Sequence, residues 1–167
     1  MSCMSETSPA LAREADRLFA EYLDKIECAA GLLSAEQVWW RPNPQSNSVG
    51  NLLLHLCGNL SQWVLAGLGG EAFERRRREE FAAVEGDDGA ALLRRLREVV
   101  AACCGVARDL TEEDLEKTFT IQSHTRTGFG VLLHAVEHMS YHTGQIVAIA
   151  KQLLGEQAQI EFYPRLK

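Results

Sequence analysis

No C-x-x-C pair occurs among the five cysteines, Cys3, Cys28, Cys57, Cys103 and Cys104. Their odd number and the adjacency of Cys103 and Cys104 exclude a disulfide framework and a zinc knuckle. An export signal is equally missing. The first basic residue is Arg13, Glu6 precedes it, and no apolar stretch follows, so a cytoplasmic location and reduced thiols are expected. Cys103 falls on an apolar helical stripe and reads as a small core residue.

Positive charge is also short. Seventeen Lys and Arg stand against 23 Asp and Glu, a formal charge of -6. That balance excludes nucleic acid and an anionic membrane surface as the main partner. The one dense basic run, Arg75 to Arg78, is flanked by Glu71, Glu74, Glu79 and Glu80. It sums to zero locally and is expected to be a solvated, salt-bridged surface. The chain has no uninterrupted apolar span either. Pro42 to Gly70 lacks a charged side chain, but Asn47, Asn51, His55, Asn59, Ser61 and Gln62 interrupt it. Those groups are too costly in lipid, so a buried helix of a soluble protein is expected. With no β-rich region, repeat or low-complexity tract, residues 1–167 read as one domain.

What the sequence does contain is helical periodicity. A first helix opens at Ser8-Pro9 and carries Leu11, Ala15, Leu18, Tyr22, Ile26 and Ala29 on one face. Gly31 stops it, and the Ser34-Ala-Glu-Gln37 capping box starts a short turn. Trp39 to Pro44 is irregular because of its prolines. A second helix runs from Ser48 to about Gly67, ended by Gly67, Gly69 and Gly70. A third spans roughly Asp88 to Leu110, with Leu92, Leu96, Val99, Cys103, Val106 and Leu110 inward. Thr111-Glu-Glu-Asp114 caps another short turn, and Lys117 to Arg126 contains a short extended piece. A fourth helix runs from about Thr127 to Leu154, with Glu137 as the only charged residue between Arg126 and Lys151. The expected fold is all-α, a four-helix bundle.

Histidine placement carries the chemistry. His138 and His142 are one turn apart on one helix face. On the second helix His55 lies in the run Leu52-Leu53-Leu54-His55-Leu56-Cys57, and Asn51, His55, Asn59 and Gln62 form a polar stripe. The fourth helix repeats this with His134, His138, His142 and Gln145. Two nearly uncharged helices with imidazole-bearing stripes bring those stripes together inside a bundle. Buried polar groups need partners, and a divalent transition metal is a common partner for three imidazoles. Zinc and nickel head the candidates and iron follows. The bland reading is that these are hydrogen-bonded core histidines.

His134-Ala-Val-Glu137-His138 matches the inverted zincin pattern H-x-x-E-H, but the chain has no evident sheet to present an extended peptide. His134 and Glu137 are better expected behind the ligands, holding a ring nitrogen. Gln62, Tyr141 and Gln145 are candidates to orient substrate. His124 falls in a polar loop and is expected to face solvent.

The run His138-Met-Ser-Tyr-His142-Thr-Gly-Gln145, with Ser48-Val-Gly-Asn-Leu-Leu-Leu-His55 before it, resembles the DinB/YfiT-like superfamily. The lead-in Leu33-Ser-Ala-Glu-Gln-Val-Trp-Trp-Arg-Pro42 is similar to it too. The resemblance covers residues 10 to 155 and implies a four-helix bundle, a metal on His55, His138 and His142, and a homodimer. Thr143 departs from the pattern, since relatives often carry a basic residue there. The superfamily includes transferases and isomerases that use low-molecular-weight thiols. The leading expectation is therefore a metal-dependent transferase that activates a small thiol for attack on an electrophile. The alternatives are a non-catalytic metal-binding stress-response protein and a metal-dependent hydrolase.

Overall fold

The computed structural model describes residues 7–157 and 159–162. Helix α1, Thr7–Ala30, ends where the Gly31 stop was expected. The Ser8 cap and Cys3 lie outside the side chains described. Phe19, fully buried, sits at the centre of its inner face between Ala15 and Ile26, while Leu18 and Tyr22 pack at the margin. A short helix α2, Ala35–Trp39, follows from the Ser34/Gln37 capping box, which forms in both directions; Trp39 is its last residue, and the irregular stretch begins after it.

Helix α3, Val49–Leu60, is capped by Ser48 and Asn51 and continues as a π-helical turn over Ser61–Ala66. The wider turn ends at Gly67, as the glycines required. Helix α4, Arg77–Ala82, is an element the periodicity did not announce. Helix α5, Gly89–Asp109, is capped by Asp88 and buries Leu92, Leu96 and Cys103. The Thr111/Asp114 box opens α6, Glu112–Glu116.

Strands β1, Thr118–Ile121, and β2, His124–Thr127, pair antiparallel as a hairpin. Its two-residue turn holds both Gln122 and Ser123 at positive φ, 50° and 66°. Such a turn normally selects Asn or Gly. Helix α7, Gly128–Leu154, is capped by Thr127.

The four long helices form a ring, with α1 against α5 and α7, and α3 against α5 and α7. This is the expected all-α bundle, and its main core cluster is drawn from all four, with a smaller one of Trp63, Ile121 and Val131 beside the hairpin. No helix among the described residues is long and apolar enough to cross a membrane. The excursion between α3 and α5, and the hairpin before α7, both lie beside the α3–α7 seam and enclose the site there.

Candidate metal centre

Helices α3 and α7 turn their polar stripes toward one another. Nε2 of His138 lies 2.8 Å from Nε2 of His55 and 3.2 Å from Nε2 of His142. All three ligating atoms fall within 4.8 Å of one another. An ion about 2.0–2.1 Å from each imidazole nitrogen needs them about 3 to 3.5 Å apart, and the two pairs through His138 lie close to that range.

The outer nitrogens decide where the protons sit. Nδ1 of His142 is 2.7 Å from Gln145 Oε1, an acceptor, so that ring carries its hydrogen on Nδ1. Nδ1 of His55 lies 3.1 Å from Glu80 Oε2, an acceptor, and 3.0 Å from Arg75 Nη2, a donor, so its hydrogen faces the carboxylate in the tautomer that leaves Nε2 free for a metal. In that tautomer both rings aim bare Nε2 lone pairs at one point, where His138 adds a third nitrogen. Converging lone pairs with at most one proton among them repel, and a cation removes that repulsion. The donor set fits a divalent transition metal.

Burial, reinforced by the neighbouring rings of His142 and His55, pushes His138 down to about 3. Burial also lowers His142, against the hydrogen bond it donates to Gln145, which raises it. Both rings are neutral at pH 7, the state that binds metal.

The buried carboxylate behind His55 comes from α4. Burial raises the Glu80 carboxyl, but hydrogen bonds from Arg75 and His55 outweigh it and hold it at about 2. Arg75 binds Glu80 through Nε and Nη2, each at 2.8 Å, and both side chains are shielded from solvent. The expectation that the Arg75 to Arg78 run is a solvated surface is therefore wrong at its first member. Arg76 keeps to the surface and pairs with Glu79, as expected.

What holds Glu80 in place is largely backbone anchoring. Asn51 Nδ2 donates to the carbonyls of Glu80 and Ala83, each at 2.8 Å. Arg41 donates to the carbonyls of Phe81 and Ala83, and the Phe81 ring packs against His55 at 4.7 Å. Gly58 leaves the room, since a Cβ there would lie 2.1 Å from Glu80 Oε1.

The remaining candidates separate clearly. Gln62 accepts hydrogen bonds from Arg75 and Gln122, so its carbonyl holds the wall together. Gln145 fixes His142, and its Nε2 donates weakly to Tyr141 at 3.5 Å. Tyr141 stands edge-on to His142 and is largely exposed. His134 is half-buried, 4.2 Å from Trp63 and 5.3 Å from His138 between ring centres. Glu137 is exposed, and the carboxylate that reaches a ligand's outer nitrogen belongs to Glu80 instead. His124 is exposed as expected, but on β2 rather than in a loop. Thr143 is buried, its hydroxyl donating to the Met139 carbonyl at 2.7 Å.

A cleft of about 150 Å³ opens above His55 and His138. Asn59 and Trp63 line it from α3 and its π turn, Gln122, His124 and Arg126 from the hairpin, and Arg75 and Arg77 from the excursion. The Asn59 position follows from the α3 stripe. Trp63, Arg75, Glu80 and Arg126 carried no signal in the sequence beyond their neighbourhood to charged or aromatic residues.

Residues 7–165 match the model of a family described as a protein of unknown function, DUF1572. The chain belongs to the DUF1572 family. That family is DinB-like, and solved structures share the fold. A DinB-like protein from Bacillus subtilis superposes with a TM-score of 0.68 at 19% identity, covering 90% of this chain and 96% of that one. A conserved protein from Enterococcus faecalis gives 0.72 at 18% identity, covering 87% and 98%. A DinB-like protein from Bacillus cereus gives 0.66 at 16% identity, covering 82% and 89%. No curated protein matches the chain. These likenesses establish the DinB-like fold, and the chemistry of this member rests on its own residues.

Proposed function

We propose that this DinB-like protein is a metal-dependent transferase that activates a small thiol for attack on an electrophilic carbon. The observation that carries the reading is the tripod of Nε2 atoms on His55, His138 and His142, with an open cleft above it. A divalent ion on three neutral imidazoles would supply a Lewis-acid position that lowers the pKa of a bound thiol or water.

The chain's own nucleophiles point away from a protein-borne one. Burial pushes Cys57 and Cys104 up to about 12 and raises Cys103 as well. All three are buried in the bundle, and among the described residues no cysteine, serine or carboxylate lines the cleft. The nucleophile is therefore brought in, as a thiol or as water. In thiol transfer the new S–C bond forms as the leaving group departs with its bonding pair.

The residues around the tripod have separate tasks in this reading. Glu80 and Gln145 hold the outer N–H groups of His55 and His142, so both lone pairs face inward. Trp63 lies at the floor of the cleft, and the hairpin forms one of its walls. His134, a neutral ring at the cleft wall, is placed to take the thiol's proton. The inverted zincin reading loses its base, since Glu137 is exposed.

A homodimer belongs to the same reading. Phe129, Leu133 and Tyr141 are large, exposed and spaced along one face of α7, a surface a second copy would cover.

Elemental analysis of gently purified protein tests the reading first. About one zinc or nickel per chain, lost in His142→Ala, is the expected result. Screening cysteine-like thiols against model electrophiles then separates the thiol transferase from a hydrolase, which would turn over esters without thiol. Metal in neither protein after reconstitution would remove the proposal.

A further inference from the structure

The cleft above the histidines is lined by charge of one sign. Arg75, Arg77 and Arg126 border it, and no Asp or Glu among the described residues does, although the chain as a whole carries -6. Arg75 is neutralised by Glu80. Arg77 and Arg126 have no carboxylate partner among the described residues. Each rests over an aromatic ring instead, Arg77 5.0 Å above Phe81 and Arg126 5.9 Å above Trp63. Ring contacts of this kind hold a guanidinium in place while leaving its N–H fork free.

Deeper in the same cleft, two buried polar atoms lack partners. The Oδ1 of Asn59 is an acceptor and the indole N–H of Trp63 a donor, and neither finds a hydrogen bond within the protein. Both side chains are at least nine-tenths buried, at 4% and 2% exposure. Unpaired buried donors and acceptors are uncommon in native proteins, and a bound molecule is one of the things that pairs them. The two observations are independent, one of charge at the rim and one of hydrogen bonding at the floor.

We propose that the cleft takes a small organic anion, its carboxylate or phosphate group held between Arg77 and Arg126, with a polar group of the same molecule on Asn59 and Trp63. Guanidinium forks pair with planar oxyanions through two parallel hydrogen bonds. The cleft's volume, about five waters' worth, limits the part inside to a few heavy atoms. The inference names the substrate class of the site and rests on the metal-centre reading for which end of the molecule reacts, but the anion subsite is testable apart from it.

The test titrates full-length protein, both metal-free and zinc-loaded, with succinate and with methyl phosphate, using succinamide as the uncharged control. NMR follows the Trp63 indole N–H, assigned with Trp63→Phe. The expected result is a saturable shift with at least one anion, none with succinamide, and at least tenfold weaker binding in Arg77→Gln/Arg126→Gln. Zinc stoichiometry in that surface variant stays unchanged. Which anion binds more tightly identifies the group. Equal binding in the double variant, equal binding of succinamide, or no shift with either anion overturns the proposal. Zinc stoichiometry judges the metal centre separately: its failure, with the anion shift retained on metal-free protein, sinks the metal reading and leaves the anion subsite standing.

Discussion

Oε2 of Glu80 lies 3.1 Å from Nδ1 of His55, across a sequence separation of 25 residues. The contact joins the buried Arg75–Glu80 ion pair to the histidine cluster, because Arg75 clamps the same carboxylate. A carboxylate on a ligand's outer N–H fixes the tautomer and makes the inner nitrogen a stronger donor. Glu80→Gln keeps the shape and removes the charge. Zinc affinity, measured by competition with a chromophoric chelator, is expected to fall about 10–100-fold. Affinity within twofold of wild type would show that the carboxylate does not tune His55.

Gly58→Ala probes the same contact without touching either partner. The added Cβ would sit 2.1 Å from Glu80 Oε1, the far end of a flexible side chain. Oε1 is the oxygen that Arg75 Nε holds, and Arg75 Nε itself would lie 3.1 Å from the added Cβ, so Glu80 yields only by loosening its contacts with both Arg75 and His55. The expected outcome is near-normal helicity, lowered thermal stability and weakened zinc binding. Stability lost with affinity kept would mean that the helix, not the carboxylate, absorbs the clash.

Arg75→Met tests the charge balance. The Arg75 and Glu80 side chains are 4% and 11% exposed. Removing one partner of a buried pair leaves the other uncompensated, at a cost of about 3–5 kcal/mol. Urea denaturation of metal-free protein should show a loss of that order. The double variant Arg75→Met/Glu80→Leu should recover much of it, since apolar replacement of a whole buried pair is often tolerated. A single variant as stable as wild type would place the pair in water.

Much of this was legible in the sequence. Capping residues at Ser34, Ser48, Asp88, Thr111 and Thr127 marked real helix starts, because caps are local and act through adjacent N–H groups. The histidines were legible because α3 and α7 carry almost no charge, so a polar stripe on either stands out. The rest depended on contacts remote in sequence. Arg75 and Glu80 look like any member of a neutral charge run, and only the anchoring of residues 80–83 by Asn51 and Arg41 turns them inward. The hairpin was half legible. Its strands showed as alternation, but its turn uses Gln122 and Ser123 at positive φ, where Asn-Gly would have announced it.

The pH dependence of the metal-free protein follows from the same burial. His138 falls from 6.5 to about 3 on folding, and His142 and His134 shift downward too, chiefly through burial. Between the folded and unfolded values the unfolded chain binds more protons, so stability rises with pH across that window. For His138 the window runs from about 3 to 6.5, with a limiting slope of about 1.4 kcal/mol per pH unit. Above 6.5 the contribution is flat. Glu80 acts in a lower window: held at about 2 against 4.5, it stabilises the fold above 4.5, and that stabilisation is lost as the pH falls through about 2. Urea midpoints at pH 4.5, 5.5, 6.5 and 7.5 should therefore climb and then level off. His138→Gln should flatten the climb. Adding zinc should raise the midpoint most at pH 7.5, where protons no longer compete for the imidazoles. A wild-type profile already flat from pH 4.5 to 6.5 would mean that the histidines are solvated, and the tripod would lose its physical basis.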